Sequence, residues 1–171
     1  MTAGDEDSAD AERLVAISTD FETFFALHHS DVVRALSLTL GDVEFGREAA
    51  SEGFTRALQR WKTVALYSNP AGWVYRVGLN WARSWRRKSR REEVGLSVDE
   101  AAPAAPTRDA ALIAALRQLS LEHRAVVVAR YYLDWSEADT ASALEIPAGT
   151  VKSRLSRALI NLADLLEGDH D

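Results

Sequence analysis

Apolar residues recur along most of this chain every three or four positions, the period of an α-helix buried on one side. Phe21, Phe24, Phe25, Val32, Val33, Leu36 and Leu40 mark a first helix that stops at Gly41. Asp42 is placed to cap a second, from Phe45 to about Trp61, packed through Ala49, Ala50, Phe54 and Leu58. Lys62–Asn69 reads as a loop. Pro70 then opens a helix at the turn where a missing N–H costs nothing, and Trp73, Val77, Trp81 and Trp85 draw an apolar line along it as far as Arg91. The period is lost over residues 92–110, where Pro103 and Pro106 stand among alanines and acids. It returns in two helices, Ala110–Leu119 and Ser120–Leu133, striped by Leu112, Leu116, Leu119, Val126 and Val127.

The last pair of elements is the most informative. Ser136 is a helix N-cap, and Asp139 three positions on completes a capping-box-like pair. Ile146-Pro147 disfavours helix, so the first of the pair stops near Leu144. Pro147, Gly149 and Thr150 make a tight turn, and Val151, Leu155, Ala158, Leu159 and Leu162 then share one face of a second helix. The pattern predicts an all-α fold of two small helical domains, residues 21–91 and 111–167, joined by a flexible linker over 92–110. The acidic, small-residue stretch 1–20 reads as a partly disordered tail.

Composition narrows the classes. The 171 residues contain no cysteine, which removes disulfides and thiolate metal sites. No run approaches the length of a membrane helix and no secretory leader is evident, so the expectation is a cytoplasmic protein without membrane partners. The net charge of −6 hides an uneven distribution: residues 14–91 carry twelve cations against seven acids. Six cations fall within the nine residues Arg83–Arg91, and no acid occurs from Thr150 to Ala163. Cations ending a helix suit its dipole, but six like charges so close together repel and are easier to understand beside phosphates. Likewise Lys152, Ser153, Arg154 and Arg157 are what a helix in a DNA major groove needs, short donors and long cations opposite a packed face. An ordinary amphipathic hairpin with a solvated basic face fits the same pattern. His28, His29 and Asp31 lack a further ligand nearby, and no P-loop or nucleophile motif occurs, so neither an enzyme nor a bound cofactor is expected.

Ile146-Pro147-Ala148-Gly149-Thr150-Val151-Lys152-Ser153-Arg154-Leu155 closely resembles the I-P-x-G-T-V-K-S-R-L signature in region four of the extracytoplasmic-function sigma factors. Gly41-Asp42 with Phe54-Thr55-Arg56-Ala57-Leu58 is similar to the G-D…F-L-R-A-W frame of region two, and Gly46–Glu52 diverges from the family's A-E-D-L-V-Q-E run. Pro70–Arg76 and Asn80-x-Ala82 resemble its P-x-x-W-L-x-x-I-A-x-N-x-A segment. Leu119-Ser120…Arg124…Val127…Tyr131-Tyr132 resembles its L-P…R segment, with Leu121 in place of the proline. The resemblance implies a sigma factor that joins RNA polymerase core and directs transcription from promoter DNA, with an anti-sigma factor as a further partner. It assigns Thr150, Lys152, Ser153, Arg154 and Arg157 to the minus-35 element. Tyr67, Ser68, Asn69, Arg76, Asn80, Arg83, Arg86 and Arg87 fall to the minus-10 element, where unstacked bases need a polar pocket in a cationic groove. Asp42, Glu48, Glu52 and Arg56 fall to the polymerase. The rival is a stand-alone helix-turn-helix regulator, a class that usually dimerises on two half-sites.

Overall fold

The computed structural model describes the backbone of residues 3–92 and 108–167, with side chains over 20–89 and 109–167. Its elements are α1 (Ala3–Leu40), α2 (Val43–Gln59), α3 (Trp61–Val64), α4 (Pro70–Glu92), α5 (Arg108–Gln118), α6 (Leu121–Val127), a π-helical turn (Val128–Tyr132), α7 (Glu137–Leu144) and α8 (Ala148–Glu167). Among the described residues there is no strand, and no helix is long and apolar enough to cross a membrane. Most of the stretch expected as a linker over 92–110 lies outside the described residues, at 93–107, while its ends, Glu92 in α4 and residues 108–110 in α5, are helical. Helix α1 begins at Ala3 and so takes in the acidic stretch read as a tail. Acids suit the first turns of a helix, where unpaired N–H groups carry partial positive charge.

The first unit, α1–α4, is built on an aromatic cluster and on small residues. Phe21 and Phe24 of α1 meet Trp61, with the Phe24 and Trp61 ring centroids 4.7 Å apart. Trp61, expected to end the second helix, opens the single turn α3, which runs on into the segment expected to be loop, and its burial holds the chain down between α2 and α4. On α2 the packed residues are Gly46, Ala49, Ala50, Gly53, Phe54 and Ala57. Leu58, expected on that face, is 53% exposed. On α4 the buried line is Ala71, Val74, Tyr75, Leu79 and Ala82, whereas Trp73 and Trp81 pack at its edge and Trp85 is exposed. The helices sit too close together for larger side chains at the crossings.

Gly46 fixes the crossing of α1 and α2. A Cβ there would lie 2.5 Å from the Ser37 Cα, backbone that cannot rotate away. Gly46→Ala is therefore expected to destabilise the protein by about 2 kcal/mol, as overpacking in a well-filled core does. A urea denaturation midpoint unchanged from the wild type would show that the two helices separate at little cost.

The second unit, α5–α8, closes on Ala115, Leu116, Leu119, Val127, Ala158 and Leu162. Ser120 caps α6 by accepting from the His123 N–H. Beyond Val127 the helix widens by one residue, with the Leu133 N–H reaching back five positions to the Val128 carbonyl. Asp134 then turns through a left-handed conformation and Trp135 ends edge-on to Tyr75, 5.7 Å away. The two units touch. Ala125 and Val128 of the second are buried in the core of the first, with Leu121, Tyr132, Leu133, Trp135 and Leu144 packed around them. At their centre Tyr75 shares a 2.7 Å hydrogen bond with Thr39, and burial pushes its phenol well above the usual tyrosine range despite Thr39 and Arg83.

Candidate nucleic-acid interface

The turn before α8 is shaped by a carboxylate in an uncommon backbone position. Glu145 follows α7 at φ 53°, the left-handed region that favours glycine. From there its N–H bonds to the Ser142 carbonyl and the Ile146 N–H to the Ala141 carbonyl, the paired bonds of a Schellman stop. Pro147 starts α8, its carbonyl accepting from Thr150 and Val151 N–H groups at 2.9 and 3.1 Å. Ser136 caps α7 as its sequence predicts, accepting from the Asp139 N–H at 3.0 Å and donating to the Asp139 carboxylate at 2.6 Å. The chain thereby passes from α7 to α8 through only three residues, 145–147. No heavy atom comes within 4 Å of a Cβ placed on Gly149, so the approach to that turn is open.

Along α8, Val151, Ala158 and Leu162 are buried. Lys152, Ser153 and Arg157 are exposed, Thr150 and Arg154 half-buried. Ser153 donates to the Thr150 carbonyl at 3.2 Å, so its hydroxyl is tied to its own helix. The helix thus separates a packed face from a cationic one, the division that a groove-binding helix requires.

The second cationic surface lies on α4 and the loop before it. Tyr67 and Ser68 are exposed. Asn69 accepts from the Gly72 N–H at 2.8 Å and is the N-cap of α4, a structural task its sequence position next to Pro70 could have signalled. Arg76 pairs with Glu145, Arg83 approaches Glu122 at 3.5 Å, and Asn80 between them is exposed. Arg87 is exposed and donates to Ser84. Arg86 differs from its neighbours: it donates to the Leu40 carbonyl at 2.9 Å and lies over the Phe45 ring. It closes the C-terminus of α1, whose last turn has no basic residue of its own.

Tyr67, Ser68, Asn69 and Arg76 come together in a cavity of about 520 Å³ whose other wall is α7 and the turn after it. Arg76, Asn80 and Arg83 line a second of about 310 Å³, together with Arg154 from α8. Arg86 and Arg87 meet Asn80 and Arg83 in a third, open depression. The minus-10 and minus-35 candidates thus face one another in part, through Arg154, while Lys152 and Arg157 point elsewhere.

The polymerase candidates form a separate face on α2. Asp42 accepts from the Phe45 N–H at 2.7 Å and caps the helix. Glu48 is exposed, and Glu52 pairs with Arg56 at 2.6 Å. The exposed Leu58 extends this face with apolar surface that the periodicity had assigned to the core. Among the described residues no three His, Asp or Glu side chains gather as a metal would require.

Known proteins resemble this chain in sequence and in fold. Residues 109–162 match the sigma-70 region 4 family. The chain is 39% identical over 135 residues to the ECF RNA polymerase sigma factor SigL of Mycobacterium tuberculosis, covering 73% of this chain and 76% of that one. It is 30% identical over 155 residues to the RNA polymerase sigma-E factor of Streptomyces coelicolor, covering 86% of each. In structure it resembles the sigma factor RpoE of Bartonella quintana, solved with the anti-sigma factor NepR, at a TM-score of 0.73 and 22% identity over 88% of this chain and 99% of that one. It also resembles CnrH, solved with the cytosolic domain of CnrY, at a TM-score of 0.64 and 22% identity over 89% and 90%. A relation of this depth, running through both helical units, places the chain among the extracytoplasmic-function RNA polymerase sigma factors.

Proposed function

We propose that this protein binds RNA polymerase core in the cytoplasm and selects the promoters from which that polymerase starts. Helix α8 reads the minus-35 element with Lys152, Arg154 and Arg157. The loop Tyr67–Asn69 and the outer side of α4, with Arg76, Asn80, Arg83 and Arg87, hold the minus-10 element as its strands part. Asp42, Glu48, Glu52 and Arg56 on α2 face the polymerase. The chain supplies no catalysis of its own; the enzyme it rides on makes the RNA. An anti-sigma factor is its expected restraint, as one accompanies RpoE in the solved complex.

One observation carries most of this reading. Two cationic surfaces stand on two different helical units, one on α4 and one on α8, and a protein gripping two separate promoter elements needs that division. Arg86 is withdrawn from the minus-10 set, because its guanidinium already serves Leu40 and Phe45.

The test is transcription in vitro with purified core polymerase and genomic DNA, with start sites mapped. The chain should co-purify with the core and give new, discrete starts. Asn80→Ala, an exposed change with no described partner to lose, is expected to slow open-complex formation about tenfold, the size of one lost base contact. A chain that joins no polymerase, or joins it without moving the start sites, refutes the reading.

A further inference from the structure

We propose that Ser84 is a positioning residue for the minus-10 element: its hydroxyl holds the Arg87 guanidinium ready for a DNA phosphate without cancelling its charge. The inference rests on the reading of α4 as a DNA surface and adds how one cation of that surface is aimed.

The bond itself is the first observation. Arg87 Nη2 donates to the Ser84 Oγ at 3.2 Å, one helical turn back. Both residues are exposed, and both line the open depression that takes in Asn80 and Arg83. The pair therefore stands on the surface of α4 beside two groups assigned to the minus-10 element. The hydroxyl occupies one N–H of the guanidinium and leaves the others to spend elsewhere.

Other serines of this fold behave differently. Ser37 donates to the Val33 carbonyl at 2.8 Å and Ser153 to that of Thr150 at 3.2 Å, so each hydroxyl is spent on its own helix. That is the usual habit of a helical serine. Ser84 instead accepts from a side chain. It is exposed, lies inside α4 rather than at an end, and belongs to a poorer helix former than alanine. Neither packing nor capping nor propensity accounts for it.

Charge is the third observation. Helix α2 gives two of its arginines a carboxylate one turn away, Glu44 on Arg47 at 2.9 Å and Glu52 on Arg56 at 2.6 Å. Glu44 and Arg47 have the same spacing as Ser84 and Arg87. Such pairs support a helix, but they balance the cation that a ligand would use. No acid occurs in α4 from Pro70 to Arg91, and Ser84 stands where the pattern of α2 would put one. A neutral acceptor orders the guanidinium and leaves it fully positive. A long arginine gives up rotamer freedom when it meets a phosphate, and one already held gives up less. A phosphate is the fitting target, because six cations within Arg83–Arg91 match the repeating charge of a nucleic-acid backbone.

The test uses holoenzyme made from the full chain and purified core polymerase, with a fluorescent fork-junction fragment carrying the minus-10 element of one mapped start. Anisotropy at several salt concentrations reads affinity and salt slope. Ser84→Ala is expected to bind about threefold more weakly with the slope unchanged, the size of one modest hydrogen bond. Ser84→Thr, which keeps the hydroxyl, should bind as the wild type does. Ser84→Asp should bind about tenfold more weakly with a slope smaller by about one, because Arg87 is then balanced as Arg47 is. Arg87→Ala should match it, and adding Ser84→Ala to Arg87→Ala should change nothing further. Alanine is the better helix former, so the Tm of Ser84→Ala should not fall, which keeps a lost contact distinct from a lost fold.

Full binding by Ser84→Ala, or an equal loss in Ser84→Thr, overturns the inference. So does a further loss when Ser84→Ala is added to Arg87→Ala, or an unchanged slope in Ser84→Asp. Arg87→Ala separates the causes. If it weakens binding while the Ser84 variants do not, the DNA reading of α4 stands and only the positioning is lost. If it leaves affinity and slope unchanged, the DNA reading of Arg87 falls and the positioning falls with it.

Discussion

Arg124→Met is expected to destabilise this protein by about 3 kcal/mol, from the loss of charged hydrogen bonds to buried carbonyls. The side chain is 8% exposed and has no carboxylate partner among the described residues. Its Nη1 donates to the Thr39 carbonyl at 3.0 Å, and its Nη2 to those of Arg117 and Leu119 at 2.6 and 2.9 Å. Thr39 stands in the last turn of α1, where carbonyls lack helical partners, and Leu119 lies just past the end of α5. One guanidinium therefore serves the ends of two helices, from a third. Burial lowers its pKa from the usual arginine value, with Arg86 and Arg117 nearby acting in the same direction. A guanidinium nonetheless stays charged at neutral pH. Methionine keeps the apolar stem and abandons the three carbonyls, so the loss isolates the hydrogen bonds from the packing. Urea denaturation followed by circular dichroism measures it. A loss under about 1 kcal/mol would mean that water reaches those carbonyls once the guanidinium is gone.

The second large effect is expected at the start of α8. Lys152→Ala with Arg154→Ala should weaken holoenzyme binding to a minus-35 element by about 3 kcal/mol, on the order of a hundredfold. The reasoning is that Lys152 is exposed on the cationic face and Arg154 is the half-buried cation beside it. A guanidinium on a base edge is worth about 1–3 kcal/mol and a phosphate contact less, with a salt slope smaller by about one for each phosphate lost. Ser153→Ala is the matched control, since the Ser153 hydroxyl is already bonded to the Thr150 carbonyl and has less to give a base. Filter binding at several salt concentrations reads both quantities. An unchanged affinity and an unchanged salt slope in the double variant would remove these residues from the interface.

Much of this was legible from local pattern. Ser136, Asp139, the stop before Pro147 and the burial of Val151, Ala158 and Leu162 on α8 follow from caps, turn chemistry and periodicity, all of which act within a few residues, whereas Leu159, expected on that same face, is exposed. What failed was phase and partner. The tryptophans of α4 drew attention because they are large, yet the helix buries Val74, Tyr75, Leu79 and Ala82, and the tryptophans ride at its edge. Close crossings at Gly46 and Gly78 demand small side chains, and a reading that weights large apolar residues looks past them. Leu58 went the other way, apolar by type and exposed in the fold. Periodicity fixes which residues share a face, not which face meets a neighbour. Arg86 and Arg124 are the plainest case. Arg86 reaches the Leu40 carbonyl 46 positions away, and Arg124 reaches that of Thr39, 85 positions away, besides the nearby Arg117 and Leu119 carbonyls, so local pattern does not show that either ties separate helices together.

The widened turn at Val128–Tyr132 has a consequence for how this chain can change over time. Each residue of a regular helix advances the chain by about 100°. The extra residue therefore sets the heading of everything after it, including the ring of Trp135. Replacing the exposed Tyr131 leaves that heading alone, whereas deleting it would relax the turn into ordinary helix and swing the following segment aside. In this stretch the number of residues is under tighter constraint than their identity.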